Sequence, residues 1–330
     1  MLEKKLVLIT DRFSQDSYLT LENQPFLEVR KTAQSDITSL DLSGVSGLII
    51  RSRTKITREL LSRAKGLQVI ITATSGFDHI DLEACAEWGV TVMFTPRANV
   101  ESAAQLTWAL VLACANKVPQ AHREMKSGNW NREALIGFEL SGKTYGIVGL
   151  GRIGSRVAEI AQAFGMHVIA FDPYQEDAAF REVGAERLAY EEVLKQSDVL
   201  SYHVPRTRET ERMLGRSHLE YIHRGIILVN TSRGNVIGEQ DLVEAIEQGW
   251  LGAVGLDVYE KEPLPRHSKL LNLANVVLTP HIGANTTEAF AKASEQAALK
   301  VIRFFVEGMT SDTLPPKEPW YGAVSPWDQE

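Results

Sequence analysis

The chain has 330 residues, 44% of them hydrophobic and 23% charged, and a net charge of −7. That length suffices for two domains with cores of their own, and the composition is typical of a soluble globular protein. Negative charge without a basic block argues against nucleic acid and anionic membrane as main partners, and no apolar run is long enough to cross a bilayer. The two cysteines, Cys85 and Cys114, lack metal-like spacing, so we expect no metal site and a reducing, cytoplasmic compartment.

The first part of the chain alternates between strand-like and helical patterns. Apolar runs predict strands at residues 4–10, 45–50, 67–72 and 90–94, and helical periodicity predicts helices at 57–65 and 81–88. Strands that alternate with helices favour a parallel sheet with crossover helices. A long helix rich in Ala and Leu is predicted at 99–117, followed by a polar connector at 127–140.

The most specific motif lies between residues 144 and 154. A strand-like run ends in Gly149-x-Gly151-x-x-Gly154, a helical pattern starts at once, and a second strand at 166–171 ends in Asp172. In a dinucleotide-binding unit, the first glycine allows a tight turn, the second lets the backbone approach the pyrophosphate, and the third lets the helix pack on the strand. The helix N-terminus offers N–H groups to the phosphates. The alternative is an ordinary glycine-rich turn, but strand, helix and acid all occur at the required positions.

The acidic residue that closes this motif indicates which cofactor binds. Asp172 follows Gly154 by 18 residues (172 − 154) and can accept hydrogen bonds from ribose hydroxyls. Its carboxylate would repel a 2′-phosphate, and the adjacent Pro173 and Tyr174 supply no cation, so the sequence predicts NAD rather than NADP. Arg181 is the nearest later cation.

Polar residues follow the later predicted strands, where an open α/β sheet binds ligands. Strands are predicted at 199–203, 225–230, 252–256 and 276–278, with helices at 238–248 and 285–307. Arg233 could bind a carboxylate or form a structural salt bridge. Asp257, Glu260 and Glu262 could be functional acids or a solvated acidic loop. His281 could carry a proton near neutral pH or be a structural histidine.

These segments together resemble the D-isomer-specific 2-hydroxyacid dehydrogenases over nearly the whole chain. The matching motifs are Gly149-x-Gly151-x-x-Gly154 with Asp172, His203-Val204-Pro205 with Thr210, Asn230-Thr231-Ser232-Arg233-Gly234, Leu256 to Pro263, and Pro280-His281-Ile282-Gly283. The resemblance implies that Arg233, Glu262 and His281 are catalytic. The residues that it implies for NAD binding are Gly149, Gly151, Arg152, Ile153, Gly154, Asp172, Pro173, His203, Val204, Pro205, Thr210, Thr231, Ser232, Asp257, Gly283 and Ala284.

The resemblance also implies a reaction and an assembly. Hydride would pass between NAD(H) and C2 of a small 2-hydroxy or 2-keto acid, while His281 takes or gives the proton. Glu262 would orient the imidazole and favour its charged form, and Arg233 would hold the substrate carboxylate. Relatives dimerise through the dinucleotide domain, so we expect a homodimer, and the apolar helix face at 106–115 would suit the interface.

The fold expected from these patterns is α/β with two Rossmann-like parallel-sheet domains. The NAD-binding domain, 99–285, would be inserted into a discontinuous, flavodoxin-like substrate domain formed by 1–98 and 286–330, with the ligand in a cleft between the domains. The last residues, 310–330, hold four prolines and two tryptophans and are expected to be an extended tail, docked by its aromatic residues.

Two stretches of the first domain concern the substrate. Arg51-Ser52-Arg53-Thr54-Lys55 puts three cations at a strand end and is similar to 3-phosphoglycerate dehydrogenases, which would imply serine biosynthesis. The run from Thr72 to Asp81 is similar to 4-phosphoerythronate dehydrogenases, and its backbone N–H groups could bind a carboxylate. The candidate substrate residues are Arg51, Ser52, Arg53, Thr74, Ser75, Gly76 and Phe77. Both stretches favour a phosphorylated acid; the alternative is a solvated strand end and a small substrate such as hydroxypyruvate or glyoxylate.

Other functions on the same frame stay open. Formate and phosphite dehydrogenases share most of these motifs, and some relatives are NAD-sensing binding proteins without activity. Gln105 occupies a position where many relatives carry Glu. The chain leaves no room for the C-terminal regulatory domain of longer phosphoglycerate dehydrogenases, so serine feedback through such a domain is not expected.

Overall fold

The computed structural model describes residues 4–32 and 34–321. These residues form two compact units: unit 1 contains the residues up to 99 and from 285 onward, and unit 2 contains 100–284. Each unit is built on its own sheet, in which all or nearly all strands are parallel, and helices connect the strands. The predicted α/β class with two parallel sheets is confirmed.

The secondary structure of the described residues follows the sequence patterns closely. The strands are β1 (Lys5–Ile9), β2 (Leu27–Lys31), β3 (Val45–Ile50), β4 (Val69–Thr72), β5 (Thr91–Phe94), β6 (Thr144–Val148), β7 (His167–Phe171), β8 (Glu186–Arg187), β9 (Val199–Tyr202), β10 (Ile226–Asn230), β11 (Leu251–Leu256), β12 (Val276–Leu278) and β13 (Thr313–Leu314). The helices are α1 (Gln15–Glu22), α2 (Arg58–Arg63), α3 (Leu82–Glu87), α4 (Val100–Ala115), α5 (Val118–Lys126), α6 (Arg152–Ala163), α7 (Asp177–Glu182), α8 (Tyr190–Gln196), α9 (Arg216–Leu219), α10 (Glu239–Glu247) and α11 (Thr287–Glu307).

The sheet of unit 1 has the order β13-β5-β4-β3-β1-β2. Strands β1 to β5 are parallel in the order 2-1-3-4-5, which is the flavodoxin-like arrangement. The direction of winding reverses between β1 and β3, and open α/β sheets bind ligands beside the carboxyl ends of the strands at such a point. The short strand β13 pairs antiparallel with β5 and closes that edge.

The sheet of unit 2 has the order β12-β11-β10-β9-β6-β7-β8, with every pair parallel. If β6 is numbered 1 and the sheet is followed from β8 to β11, the strand order is 3-2-1-4-5-6, as in dinucleotide-binding folds. Strand β12 adds a seventh strand next to β11. The winding reverses between β6 and β9. The residues that follow those two strands therefore lie where this fold binds its ligand.

The central strands of both sheets are buried on both faces, and successive side chains of such a strand belong to different buried clusters. In unit 2, Leu200 and Leu228 belong to one buried cluster, whereas their neighbours Val199 and Val229 belong to the other. Helices α4 and α6 cover the second cluster. Leu110, Val111, Cys114 and Ala115 of α4 are part of it, so this side of the helix packs inside unit 2 and is not the exposed interface that the sequence analysis assigned to it.

The segment after α11 is attached to unit 1 by its backbone and by one lysine. Leu314 of β13 is buried, and Lys300 of α11, only 8% exposed, donates to the Ser311 carbonyl oxygen at 2.9 Å and to Asp312 Oδ2 at 2.7 Å. The ring of Tyr321 packs edge-on against Phe77. The tail is therefore docked as far as Tyr321, and residues 322–330, with Pro326 and Trp327, lie outside the described residues.

Both cysteine side chains are buried. Burial raises the pKa of the Cys85 thiol and of the Cys114 thiol to about 12 in each case. The thiols are therefore protonated and shielded under ordinary conditions. Among the described helices, none has both the length and the apolar character that crossing a membrane requires.

Candidate active site

The glycine turn of unit 2 joins β6 to α6 at the point where the strand order reverses. Gly149 has a φ of +93°, and a Cβ there would lie 2.7 Å from the carbonyl oxygen of His203 and 2.8 Å from a methyl carbon of Val204. A Cβ on Gly154 would collide with the carbonyl oxygen of Gly149. The first and third glycines are therefore required by the close approach of β6, α6 and the end of β9.

The middle glycine has a different explanation. A Cβ on Gly151 would meet open space, so packing within the protein does not require a glycine there. Gly151 is the N-cap of α6, and no side chain caps the first turn, which begins with Arg152 and Ile153. N–H groups at an uncapped helix N-terminus, approached over a residue without a side chain, suit a pyrophosphate. The donors at this turn fit NAD.

Asp172 closes the turn from the end of β7. Its Oδ2 accepts a hydrogen bond from Leu150 N at 2.8 Å, and its Oδ1 accepts one from Tyr174 N at 2.9 Å. Burial raises the pKa of Asp172, although these backbone bonds and the charge of Arg187 act in the opposite direction. Pro173 lies between Asp172 and Tyr174 in the sequence. The carboxylate therefore holds both the glycine turn and the loop after β7 in place.

The loop after β9 is held by hydroxyl groups. Thr210 Oγ1 donates to the Pro205 carbonyl oxygen at 2.6 Å and accepts from Thr207 N at 2.9 Å. His203 Nε2 lies 2.9 Å from Ser201 Oγ, and burial lowers the pKa of His203 to about 3. This imidazole is therefore neutral near physiological pH and is not a second proton carrier.

The turn after β10 is organised around one buried amide. Asn230 Oδ1 accepts from the backbone N of Ser232 at 3.0 Å and from its hydroxyl at 2.8 Å, and Asn230 Nδ2 donates to the Arg233 carbonyl oxygen at 2.9 Å. The hydroxyls of Thr231 and Thr107 lie 2.8 Å apart. Arg233 Nη1 donates to the Ser232 carbonyl oxygen at 2.7 Å, so the guanidinium is held against the same turn.

His281 and Glu262 form a close pair at this edge of the sheet. His281 Nδ1 lies 2.7 Å from Glu262 Oε2, and Glu262 Oε1 accepts from Tyr259 N at 3.2 Å. Arg233 is close enough for its charge to act on both side chains. The Glu262 contact occupies one ring nitrogen, which leaves Nε2 as the nitrogen that can face a substrate.

The environment shifts the pKa of both partners toward the charged pair. The hydrogen bond to Glu262 raises the pKa of His281 and outweighs the opposing effect of burial. Burial alone would raise the pKa of Glu262, but the hydrogen bond and charge of His281, with the Tyr259 amide and Arg233, hold it below its ordinary value. The imidazole is thus kept protonated to higher pH than a free histidine.

Asp257 holds the histidine loop in an unusual conformation. It is fully buried, and its carboxylate accepts hydrogen bonds from Thr279 Oγ1 at 2.6 Å, Ile282 N at 2.8 Å and Gly283 N at 2.9 Å. His281, between these partners, has a φ of 52°, in the left-handed region that costs a non-glycine residue about 1–3 kcal/mol. The buried carboxylate compensates for this strain. Ala284 follows directly and is partly buried.

The predicted substrate residues of unit 1 lie in two turns. After β4, Thr74 Oγ1 donates to the Gly76 carbonyl oxygen at 2.7 Å. The backbone N–H groups of Ser75, Gly76 and Phe77 find no acceptor within the part of the chain that the structure describes. After β3, Arg53 pairs with Asp11, while Arg51 is half-buried and Ser52 is exposed.

Sequence reasoning missed some parts of the site. It assigned Asp257 to cofactor binding without its role in holding the 279–283 loop, although an acid directly after a buried strand was a usable signal. Among the described residues, no group of three or more His, Cys, Asp or Glu side chains is arranged to hold a metal ion.

The fold and the glycine turn define a dinucleotide-binding protein of the Rossmann type. Residues 108–283 match the family model of the D-isomer specific 2-hydroxyacid dehydrogenase, NAD binding domain. The chain belongs to the D-isomer specific 2-hydroxyacid dehydrogenase family. This confirms both the resemblance found in the sequence and the prediction of NAD.

Relatives of two different lengths match the chain. It is 38% identical to D-3-phosphoglycerate dehydrogenase of Bacillus subtilis over 298 residues, which are 90% of this chain and 56% of that protein. It is also 38% identical to hydroxypyruvate reductase of Thermotoga maritima over 300 residues, which are 90% of this chain and 97% of that protein. The chain thus spans little more than half the length of the phosphoglycerate dehydrogenases it matches.

Solved structures agree with the fold. A D-lactate dehydrogenase of Aquifex aeolicus, complexed with NAD and lactic acid, superposes with a TM-score of 0.81 and 32% identity. The match covers 92% of this chain and 96% of that one.

Proposed function

We propose that this protein is an NAD-dependent D-2-hydroxyacid dehydrogenase in which His281 is the acid/base. The observation that carries the proposal is the 2.7 Å contact between His281 Nδ1 and Glu262 Oε2, next to a dinucleotide-binding fold. A histidine whose one nitrogen is held by a carboxylate is oriented for proton transfer at the other. The intact pair also favours an enzyme over an NAD-sensing binding protein.

NAD, when bound, supplies or accepts the hydride at C2 of the substrate. During reduction, His281 Nε2 donates a proton to the carbonyl oxygen of the keto acid, and Glu262 stabilises the charge that the ring carries before the transfer. During oxidation, the neutral ring takes the hydroxyl proton. Asp257 acts through the loop that it holds, so it is a positioning residue.

Arg233 would bind the substrate carboxylate and stabilise negative charge on the reacting oxygen. A guanidinium suits this role because its planar fork pairs with two oxygens at once. Two observations support this role of Arg233. Asn230 holds the turn that carries it, and its charge acts on His281. In unit 1, the backbone N–H groups of Ser75, Gly76 and Phe77 are proposed as further donors to the carboxylate.

The cofactor form follows from Asp172 and the glycine turn. The carboxylate of Asp172 would repel a 2′-phosphate, which favours NAD over NADP. Gly149, Gly151 and Gly154 would hold the pyrophosphate at the start of α6. Thr210, Thr231 and Gly283, in the loops that follow β9, β10 and β12, would also help to bind NAD.

Two substrate classes have support. The relatives with the longer chains and the cations after β3 favour 3-phosphoglycerate and its keto acid, with 4-phosphoerythronate as a related possibility. The match to nearly the full length of the Thermotoga maritima hydroxypyruvate reductase favours a small keto acid, hydroxypyruvate or glyoxylate. We propose the phosphorylated substrate, and with it a role in serine biosynthesis, as the first candidate.

A homodimer and a cytoplasmic location complete the proposal. Large apolar side chains are exposed in and after α5, among them Val118, Met125, Trp130 and Ile136, at 54%, 55%, 76% and 73% exposure. A second copy of the chain would cover this surface, which replaces the helix face at 106–115 as the proposed interface. The two shielded thiols suit a reducing compartment.

The test is a comparison of keto acids with the purified chain. Oxidation of NADH is followed with 3-phosphohydroxypyruvate, hydroxypyruvate, glyoxylate and pyruvate, and 3-phosphoglycerate with NAD is assayed in the reverse direction. We expect turnover of at least one acid and the highest kcat/KM for the phosphorylated one. No turnover of any acid with either NADH or NADPH would contradict the enzyme assignment, and preference for the small acids would select the second candidate.

A further inference from the structure

Two arginines lie at the point where the sheet of unit 1 reverses its winding. Arg12 follows β1 and Arg51 follows β3, and these neighbouring parallel strands end at the same edge. The two turns are tied together by the buried hydroxyls of Thr10 and Thr54, 2.7 Å apart. This edge is where a flavodoxin-like sheet binds its ligand.

Both guanidinium groups lie over one aromatic ring. The Cζ of Arg12 and the Cζ of Arg51 are each 5.3 Å from the ring centroid of Phe290, in the first turn of α11. Such cation–π contacts orient each guanidinium although the two repel each other. The positive end of the α11 dipole lies in the same turn and adds to the positive potential.

The positive charge of this cluster is not balanced within it. The charges that act on Arg51 are those of Asp11, Arg12 and Arg53. Asp11 is engaged by Arg53 through Oδ1 to Nη2 at 2.5 Å and Oδ2 to Nε at 3.3 Å. Three guanidinium groups therefore face one carboxylate, which leaves two positive charges (3 − 1) in excess.

Arg51 also has a donor that is not used. Its Nη1 is buried and has no hydrogen-bond partner within the residues that the structure describes. Burial lowers the pKa of Arg51, and the charges of Arg12 and Arg53 act in the same direction, against that of Asp11. A buried charged donor without an acceptor is unfavourable unless a ligand supplies one.

We propose that Arg12 and Arg51, oriented by Phe290, bind the phosphoryl group of the substrate, and that Arg12 determines specificity for it. A phosphate monoester carries about −1.5 to −2 charges near neutral pH, which matches the excess. Arg53 neutralises Asp11 and is a positioning residue. The assignment rests on the proposed function for the identity of the substrate, and on unit 1 alone for the anion site.

The kinetic test measures a ratio. The kcat/KM for 3-phosphohydroxypyruvate is divided by that for hydroxypyruvate, in the full chain and in Arg12→Ala, Arg12→Lys and Arg30→Ala. Loss of one charge-assisted contact predicts a fall in this ratio of about tenfold to a hundredfold in Arg12→Ala. Arg12→Lys should keep more of the ratio, and Arg30→Ala, which removes an exposed arginine on β2, is the matched control. An unchanged ratio, including one that results from an equal fall for both acids, would overturn the proposal.

A binding test separates this site from the proposed activity. Inorganic phosphate is titrated calorimetrically into the wild type and Arg12→Ala at fixed ionic strength, and we expect the Kd to rise about tenfold or more in the variant. Phosphate should also compete with 3-phosphohydroxypyruvate in the wild type. If no keto acid is turned over, the titration still decides whether the site exists. Equal phosphate affinity in both proteins, or noncompetitive inhibition, would contradict the assignment.

Discussion

The two units treat their charged side chains in opposite ways. In unit 2, His281, Glu262 and Asp257 are each hydrogen-bonded within the protein, and these contacts shift the pKa of the first two. In unit 1, Arg12 and Arg51 lie together over Phe290, and the adjacent carboxylate is already paired. According to the two proposals, the hydrogen-bonded charges of unit 2 set the proton chemistry, whereas the excess positive charge of unit 1 selects the ligand.

This difference predicts which measurements respond to each unit. Changes to His281, Glu262 or Asp257 in unit 2 should alter turnover and its pH dependence for every substrate. Changes to the excess charge of unit 1 should alter the choice among substrates. A change that affects both to the same degree would remove the distinction.

The largest effect is expected for His281→Ala, which removes the proposed proton carrier. General acid/base catalysis contributes about 10²–10⁴-fold, so kcat should fall by that factor for phosphorylated and unphosphorylated acids alike. Steady-state rates with saturating NADH measure it, with His122→Ala, an exposed histidine on α5, as the control. Near-normal turnover by His281→Ala would disprove the acid/base assignment.

A smaller effect is expected for Glu262→Gln, which keeps the shape of the side chain but removes its charge. The hydrogen bond to Glu262 raises the pKa of His281 despite burial, so the pKa falls in the variant. Reduction needs the protonated ring, so the alkaline limb of the pH–rate profile for reduction should move to lower pH. Oxidation needs the neutral ring, so the acid limb of the profile for oxidation should also move to lower pH. At neutral pH, reduction should slow about tenfold to a hundredfold.

Complete pH–rate profiles in both directions measure this shift. Glu260→Gln, an exposed acid in the same loop, is the matched control. Profiles that coincide with those of the wild type would mean that Glu262 does not set the pKa of His281.

The smallest effect is expected for Arg53→Ala, which tests whether Arg53 belongs to the structure of unit 1 rather than to its ligand. Removal of the guanidinium leaves the buried carboxylate of Asp11 without its bidentate partner, and the free energy of unfolding should drop by about 1 kcal/mol. Denaturant unfolding measures this, and the ratio of the two kcat/KM values should fall less than in Arg12→Ala. A larger fall in that ratio would make Arg53 a ligand-binding residue.

The sequence was most informative where function depends on contiguous residues. The sequence predicts the glycine turn with Asp172, most strands and the long helices, because hydrophobic periodicity and glycine spacing are local signals. Helix α1 and strand β2 were missed, since β2 is mostly exposed and its pattern is weak. Strand β13 was missed because Pro315 directly follows it and polar residues precede it.

The parts of the site that could not be predicted depend on contacts between distant residues. Phe290 lies 278 positions after Arg12 (290 − 12), and only the folded sheet brings α11 to the ends of β1 and β3. Similarly, the sequence indicates that Asp257 is functional, but its three hydrogen bonds are made to residues in the turn after β12. No local pattern encodes such partners.

The two shielded thiols make the chain suitable for site-specific labelling. Because Cys85 and Cys114 are buried and protonated, the native chain should react slowly with maleimides. One new cysteine on an exposed position of each unit would then carry the only fluorophores. Energy transfer between them would report the distance between the units as NAD and a keto acid are added, without the removal of either natural cysteine.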